Sequence, residues 1–105
     1  MGPSKTYRAC GYQQITSLAT SQALTLPARA PDGTTCKPNA VLIGCTGQNV
    51  RWRDDGTAPT ATVGNLLVAS QQPFYYDGNL AALRFIETAA SGVLNIAYYE
   101  DVAQT

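Results

Sequence analysis

Glycine, proline, aspartate or asparagine interrupts this chain about every eight to twelve residues, and that punctuation constrains the fold more than any other feature of the sequence. Segments so short suit strands, and none of them sustains the 3.6-residue period of an amphipathic helix. Strands are predicted at residues 13–18, 22–26, 40–46, 49–53, 66–70, 73–76, 80–87 and 93–99. Asp-Gly recurs at Asp32-Gly33, Asp55-Gly56 and Asp77-Gly78 with nearly even spacing. Glycine accepts positive φ and the aspartate caps its own backbone, so each pair marks a tight turn. An up-and-down chain would place all three turns at one end of the molecule. The expected fold is an all-β antiparallel sandwich or jelly roll in a single domain.

Alternation assigns the faces. Leu94, Ile96 and Tyr98 fall on one side of the last segment, with Val93, Asn95, Ala97 and Tyr99 on the other. Val50 and Trp52 share a face, which puts Arg51 and Arg53 opposite. Val41, Leu42 and Ile43 run without a break, as in a strand covered on both sides. The predicted core is therefore Val41, Ile43, Val50, Trp52, Phe85, Leu94, Ile96 and Tyr98. A chain of 105 residues is long enough to bury one such core. Residues 1–12 read as an N-terminal arm, 13–99 as the sandwich, and 100–105 as a C-terminal tail. Within the sandwich, residues 27–38 hold Pro27, Pro31 and Pro38 and read as a long surface loop.

Composition limits the partners. Seven basic and seven acidic residues cancel, with no run of either sign, so the electrostatic footprint of nucleic-acid binding is not expected. The longest apolar run, residues 40–45, is far shorter than the ~20 residues of a spanning helix, and no membrane association is expected. Only 13% of residues are charged, so much of the surface is polar through hydroxyls and amides, which lose little on meeting a partner.

The chain contains no histidine, which removes the commonest general base and every Ser-His-Asp or Cys-His arrangement. Asp54 and Asp55 read as turn residues rather than a catalytic pair. No phosphate-cradling glycine motif or calcium loop is present. Cys10, Cys36 and Cys45 are irregularly spaced and offer no fourth ligand for zinc. They read as reduced thiols, with Cys45 a small core residue; a Cys10–Cys36 bridge is the alternative. No catalytic residue, metal or cofactor is expected, and the protein reads as a non-enzyme.

What remains is arginine and aromatic content, the chemistry that most often anchors interfaces. Trp52 lies between Arg51 and Arg53, and further such residues occur at Phe74-Tyr75-Tyr76, Arg84-Phe85 and Tyr98-Tyr99. Arg51 and Arg53 serve either a partner or an internal salt bridge with Asp54 and Asp55. Tyr75 or Tyr76, whichever points outward, could contribute to a sugar-binding patch. Lys5, Arg8, Arg29 and Lys37 concentrate positive charge in residues 1–10 and 27–38, where Asp32 is the one acid. Those two segments are the first candidates for contact with a partner, and the Arg51–Arg53 face the next.

From residue 49 onward the order of motifs is distinctive. It runs Val50-Arg51-Trp52-Arg53-Asp54-Asp55-Gly56-Thr57-Ala58-Pro59-Thr60-Ala61-Thr62-Val63-Gly64, then Tyr76-Asp77-Gly78-Asn79-Leu80, Leu83-Arg84-Phe85-Ile86 and Leu94-Asn95-Ile96-Ala97-Tyr98-Tyr99. In these segments the chain resembles small virion proteins encoded in the head-assembly regions of tailed bacteriophages. The resemblance implies a capsid decoration or cement protein that binds the major capsid protein or other virion proteins and stabilises the phage head. It also implies a location on the virion surface after synthesis in the host bacterial cytoplasm. The alternative is a receptor- or glycan-binding module of a tail or head fibre. Sheet edges need cover and shell proteins sit on symmetry axes, so a homo-oligomer, dimer or trimer, is expected.

Overall fold

The computed structural model describes residues 7–101. Eight strands follow one another: β1 (Tyr7–Ile15), β2 (Gln22–Ala23), β3 (Ala40–Thr46), β4 (Val50–Arg53), β5 (Asn65–Leu67), β6 (Phe74–Tyr76), β7 (Arg84–Glu87) and β8 (Val93–Asp101). One 3₁₀ turn, Leu80–Ala82, precedes β7. The strands form two four-stranded sheets, β1-β8-β3-β6 and β2-β7-β4-β5. Every pairing is antiparallel. Successive strands alternate between sheets from β1 to β4, and the terminal strands β1 and β8 lie side by side. This is the jelly-roll order, two Greek keys folded into a sandwich.

Register follows burial. Ile43 opposes Ile96 and Val41 opposes Tyr98, and all four point inward. The second sheet answers with Val50, Leu67 and Phe85, each buried, and with Trp52 partly buried against them. Trp52 also meets Phe74 and Tyr76, with ring centroids 5.7 and 5.9 Å away. Each large apolar side chain so removed from water contributes about 1.5–3 kcal/mol, and a one-residue slip would forfeit the whole set. Leu18, in the β1–β2 connection, and Leu83 are also fully buried and close gaps between the sheets. Tyr98 carries its hydroxyl into the core and donates to Gln13 Oε1 at 2.5 Å.

The three Asp-Gly turns do lie at one end, in the β2–β3, β4–β5 and β6–β7 connections. Tyr76 Oη donates to Asp54 Oδ2 at 2.6 Å and ties the end of β6 to the β4–β5 connection.

Three expectations need correction. Tyr7 to Tyr12 do not form an arm; they are the first part of β1, paired with β8 from Tyr7↔Asp101 onward. The remainder of the expected arm, residues 1–6, lies outside the described residues. Glu100 and Asp101 extend β8 rather than starting a tail, and residues 102–105 are likewise outside the described residues. Cys10 and Cys36 are joined in a disulfide, with Cα atoms 5.9 Å apart, instead of being reduced. The physical reason is a β-bulge between Ala9 and Gly11, which turns Cys10 inward beneath the 27–38 loop. Cys45 is the free, buried cysteine, and burial pushes its thiol pKa up, so it stays protonated.

Candidate functional site: two unlike sheet faces

The charged residues of the proline-containing loop are exposed, and Arg29 and Asp32 bond within the loop itself. Arg8 reaches across from β1 to donate to Thr35 O at 3.1 Å and to Glu100 Oε1 at 3.2 Å, and it also bonds Thr34 Oγ1. Arg29 donates to Gly33 O at 3.0 Å across its own turn. Asp32 accepts from the Thr34 hydroxyl and backbone N–H, bonds that hold its carboxyl below the usual range. Lys37 is exposed, and Lys5 lies outside the described residues. Arg8 thus fastens the loop to β1 and bonds Glu100 of β8, while the disulfide ties the loop to β1 again.

Arg51 and Arg53 occupy a different setting. Val50 and Trp52 point inward, so both arginines stand on the outer face of the second sheet. Arg53 is directly opposite Arg84 of β7, and Arg51 is opposite Ile86 on one side and Leu66 on the other. The result is a face of three arginines set among Leu66, Ile86 and Ala23. Arg53 pairs with Asp55, which raises the arginine's pKa and lowers the aspartate's through their shared hydrogen bonds. Arg51 Nη1 instead donates to Gly64 O at 3.0 Å. Arg84 Nη1 donates to Ala81 O and Leu83 O at 3.0 and 2.9 Å. Carbonyls orient these two guanidiniums, and among the described residues no carboxylate forms an ion pair with either, so their charge remains available to an outside anion.

The outer face of the first sheet is the chemical opposite. One row across it reads Tyr12, Ala97, Leu42, Tyr75, in register from β1 to β6. Tyr12 is 63% exposed and Tyr75 56%. Beside that row Tyr7, Tyr75 and Tyr99 cluster, with centroids 5.4–6.0 Å apart. On its other side lie Gln14, Asn95 and Gly44. Tyr12 Oη and Gln14 Nε2 both donate to Asn95 Oδ1, at 2.6 and 3.0 Å. Between Tyr12 and Pro73 runs a trough of about 240 Å³ floored by Leu42, Gly44 and Ala97.

The remaining polar clusters have structural partners. Asp54 accepts from Tyr76, whose phenol is pushed up to about 12 by burial and by that bond. Asp55 is held by Arg53 and also accepts from Thr57 N. Cys10, Cys36 and Glu100 bring three potential ligand atoms within 4.8 Å, but the disulfide engages both sulfurs.

Sequence reasoning located Arg51 and Arg53 but did not join Arg84 to them. The signal was available: Phe85 is apolar, so Arg84 must face outward, but nothing local reveals that β7 pairs with β4. Tyr7 and Tyr12 were missed as surface aromatics because their segment was not read as a strand. Compared with protein-family models, curated proteins and solved structures, the chain matches none.

Proposed function

We propose that this protein is a structural component of a bacteriophage particle, a capsid decoration or cement protein that docks on the coat through the outer face of its second sheet. The observation that carries this reading is the pair of fixed, unneutralised guanidiniums of Arg51 and Arg84, flanking Arg53 on a face otherwise aliphatic. A flat array of oriented cations with apolar side chains between them suits the acidic outer surface of a protein shell. Because the cations are already held by backbone carbonyls, little side-chain entropy is lost on docking. The buried disulfide supports a working life outside the reducing cytosol, as on a virion surface. Many copies, paired or tripled about the shell's symmetry axes, would bridge coat subunits and resist internal pressure; the mechanism needs no chemistry beyond binding.

The test is co-sedimentation with capsids stripped of the protein. Wild type should bind less tightly as salt rises, because exposed charge pairs are screened beyond about 8–10 Å at physiological ionic strength. Arg51→Gln with Arg84→Glu should weaken binding at least tenfold while leaving the thermal melt near that of wild type. Salt-independent binding of the wild type, or full occupancy by the folded double variant, would overturn the proposal.

A further inference from the structure

We propose that the outer face of the first sheet is a binding site for neutral saccharides, with Tyr12 as a stacking wall and the trough floored by Leu42, Gly44 and Ala97 as the seat of a pyranose ring. The site lies on the opposite side of the sandwich from the arginine face, so both can be used at once.

Three features converge on this ligand class. First, the exposed side chains that stand above the sheet are tyrosines, two of them more than half exposed. The C–H groups on one face of a sugar ring carry partial positive charge and are attracted to the negative face of an aromatic ring. Second, two of the three residues that floor the trough beside Tyr12 are small. Ala97 and Gly44 keep the floor low, and a Cβ on Gly44 would come within 3.1 Å of Pro73 Cγ. At about 240 Å³ the trough is smaller than the ~300–1,000 Å³ of sites that enclose drug-sized ligands, which fits an open seat for one ring of a chain. Third, the polar groups at its side are carboxamides and a phenol. With Asn95 Oδ1 engaged by Tyr12 and Gln14, the Asn95 amide turns its N–H donors to other acceptors, and the Gln14 oxygen offers an acceptor. Hydroxyl groups both donate and accept, and they match such a set.

The charge pattern excludes acidic sugars. Along these strands the outward residues are uncharged apart from Asp101, which is buried at the far end. Among the described residues, a carboxylated or phosphorylated saccharide would find no cation on this face. A protein partner of ordinary kind is also a poorer fit, because Leu42 is the one large aliphatic side chain in the row. Affinity for a single short oligosaccharide should be weak, on the order of 0.1–1 mM, since few polar contacts surround an open seat.

The experiment is an NMR titration of the isotope-labelled full chain with neutral oligosaccharides built from glucose, galactose, 6-deoxyhexose and N-acetylhexosamine. Uronic-acid and sialic-acid oligosaccharides serve as comparators. The expected result is saturable shifts at Gly44, Asn95 and Ala97 with at least one neutral series. Tyr12→Ala should weaken binding about tenfold or more, whereas Tyr75→Ala, outside the trough, should leave it unchanged. Ala97→Gln, which fills the trough without touching the core, should abolish it with the melt unchanged. No shift with any neutral series, response to acidic sugars alone, or binding retained by folded Ala97→Gln would each overturn the proposal. So would a dimer that covers this face and is lost in the tyrosine variants. Because the titration uses free protein, its outcome is independent of capsid docking.

Discussion

Gly47 closes the β3–β4 connection at φ +79°, and a Cβ placed there would run into the Ser91 carbonyl of the neighbouring β7–β8 connection. Gly33 has a similar φ of +87° but open space around it. The pair separates backbone strain from steric conflict. Gly33→Ala should cost about 1–2 kcal/mol, the ordinary penalty for an L-residue in the left-handed region. Gly47→Ala should cost about 3 kcal/mol or more, because a backbone carbonyl must also move. Urea denaturation checks both, and equal costs would show that the Ser91 contact is unimportant. The sequence revealed Gly33 through its Asp-Gly signature, whereas Gly47 carries no such flag. Its constraint comes from Ser91, far along the chain. Arg84 belongs to the same lesson: its outward direction is local information, but its place beside Arg53 exists only after β7 and β4 pair.

Strands with an unbroken apolar inward set were readable, and the one interrupted by a bulge was not. β3 was found with its observed limits, Ala40–Thr46, because Val41, Ile43 and Cys45 give an unambiguous buried set. β1 was half lost because Cys10 is an extra residue in a bulge, which breaks the two-residue period, and because Gln13 turns inward to meet Tyr98. The segment 80–87 mixes a 3₁₀ turn with a strand for a related reason: Leu80 and Leu83 are both buried, a spacing that a strand does not give. The bulge also brings Cys10 to Cys36, and the bridge closes a 26-residue separation. On a chain-entropy argument it contributes about 3–4 kcal/mol. Replacing both cysteines with serine should lower the unfolding free energy by about that amount and leave the far-ultraviolet β spectrum intact. A denaturation midpoint unchanged by the double replacement or by reductant would show that Arg8 and the loop's hydrogen bonds fasten it unaided.

At the scale of the whole molecule, the jelly roll separates two surfaces that the sequence interleaves. Residues 49–53 and 84–86 send arginines to one side, while residues 7–14, 75 and 95–99 send tyrosines and amides to the other. The fold class was legible because turn spacing and alternation are local. The two faces were not, because each is assembled from strands distant in sequence. Arg8 illustrates the point: it looks available in the sequence, but the fold gives it Glu100 as an internal partner, whereas exposed Arg29 bonds only the Gly33 carbonyl and keeps its charge. The central claim is that this fold docks by its arginine face and leaves its tyrosine face to solvent. The most direct measurement is a cryo-electron microscopy reconstruction of the intact particle carrying the protein. The expected result is hundreds of copies on the shell, with Arg51, Arg53 and Arg84 against coat subunits and Tyr12 and Tyr75 facing outward. A dozen or fewer copies at a tail or vertex, or a tyrosine face buried against the coat, would contradict it.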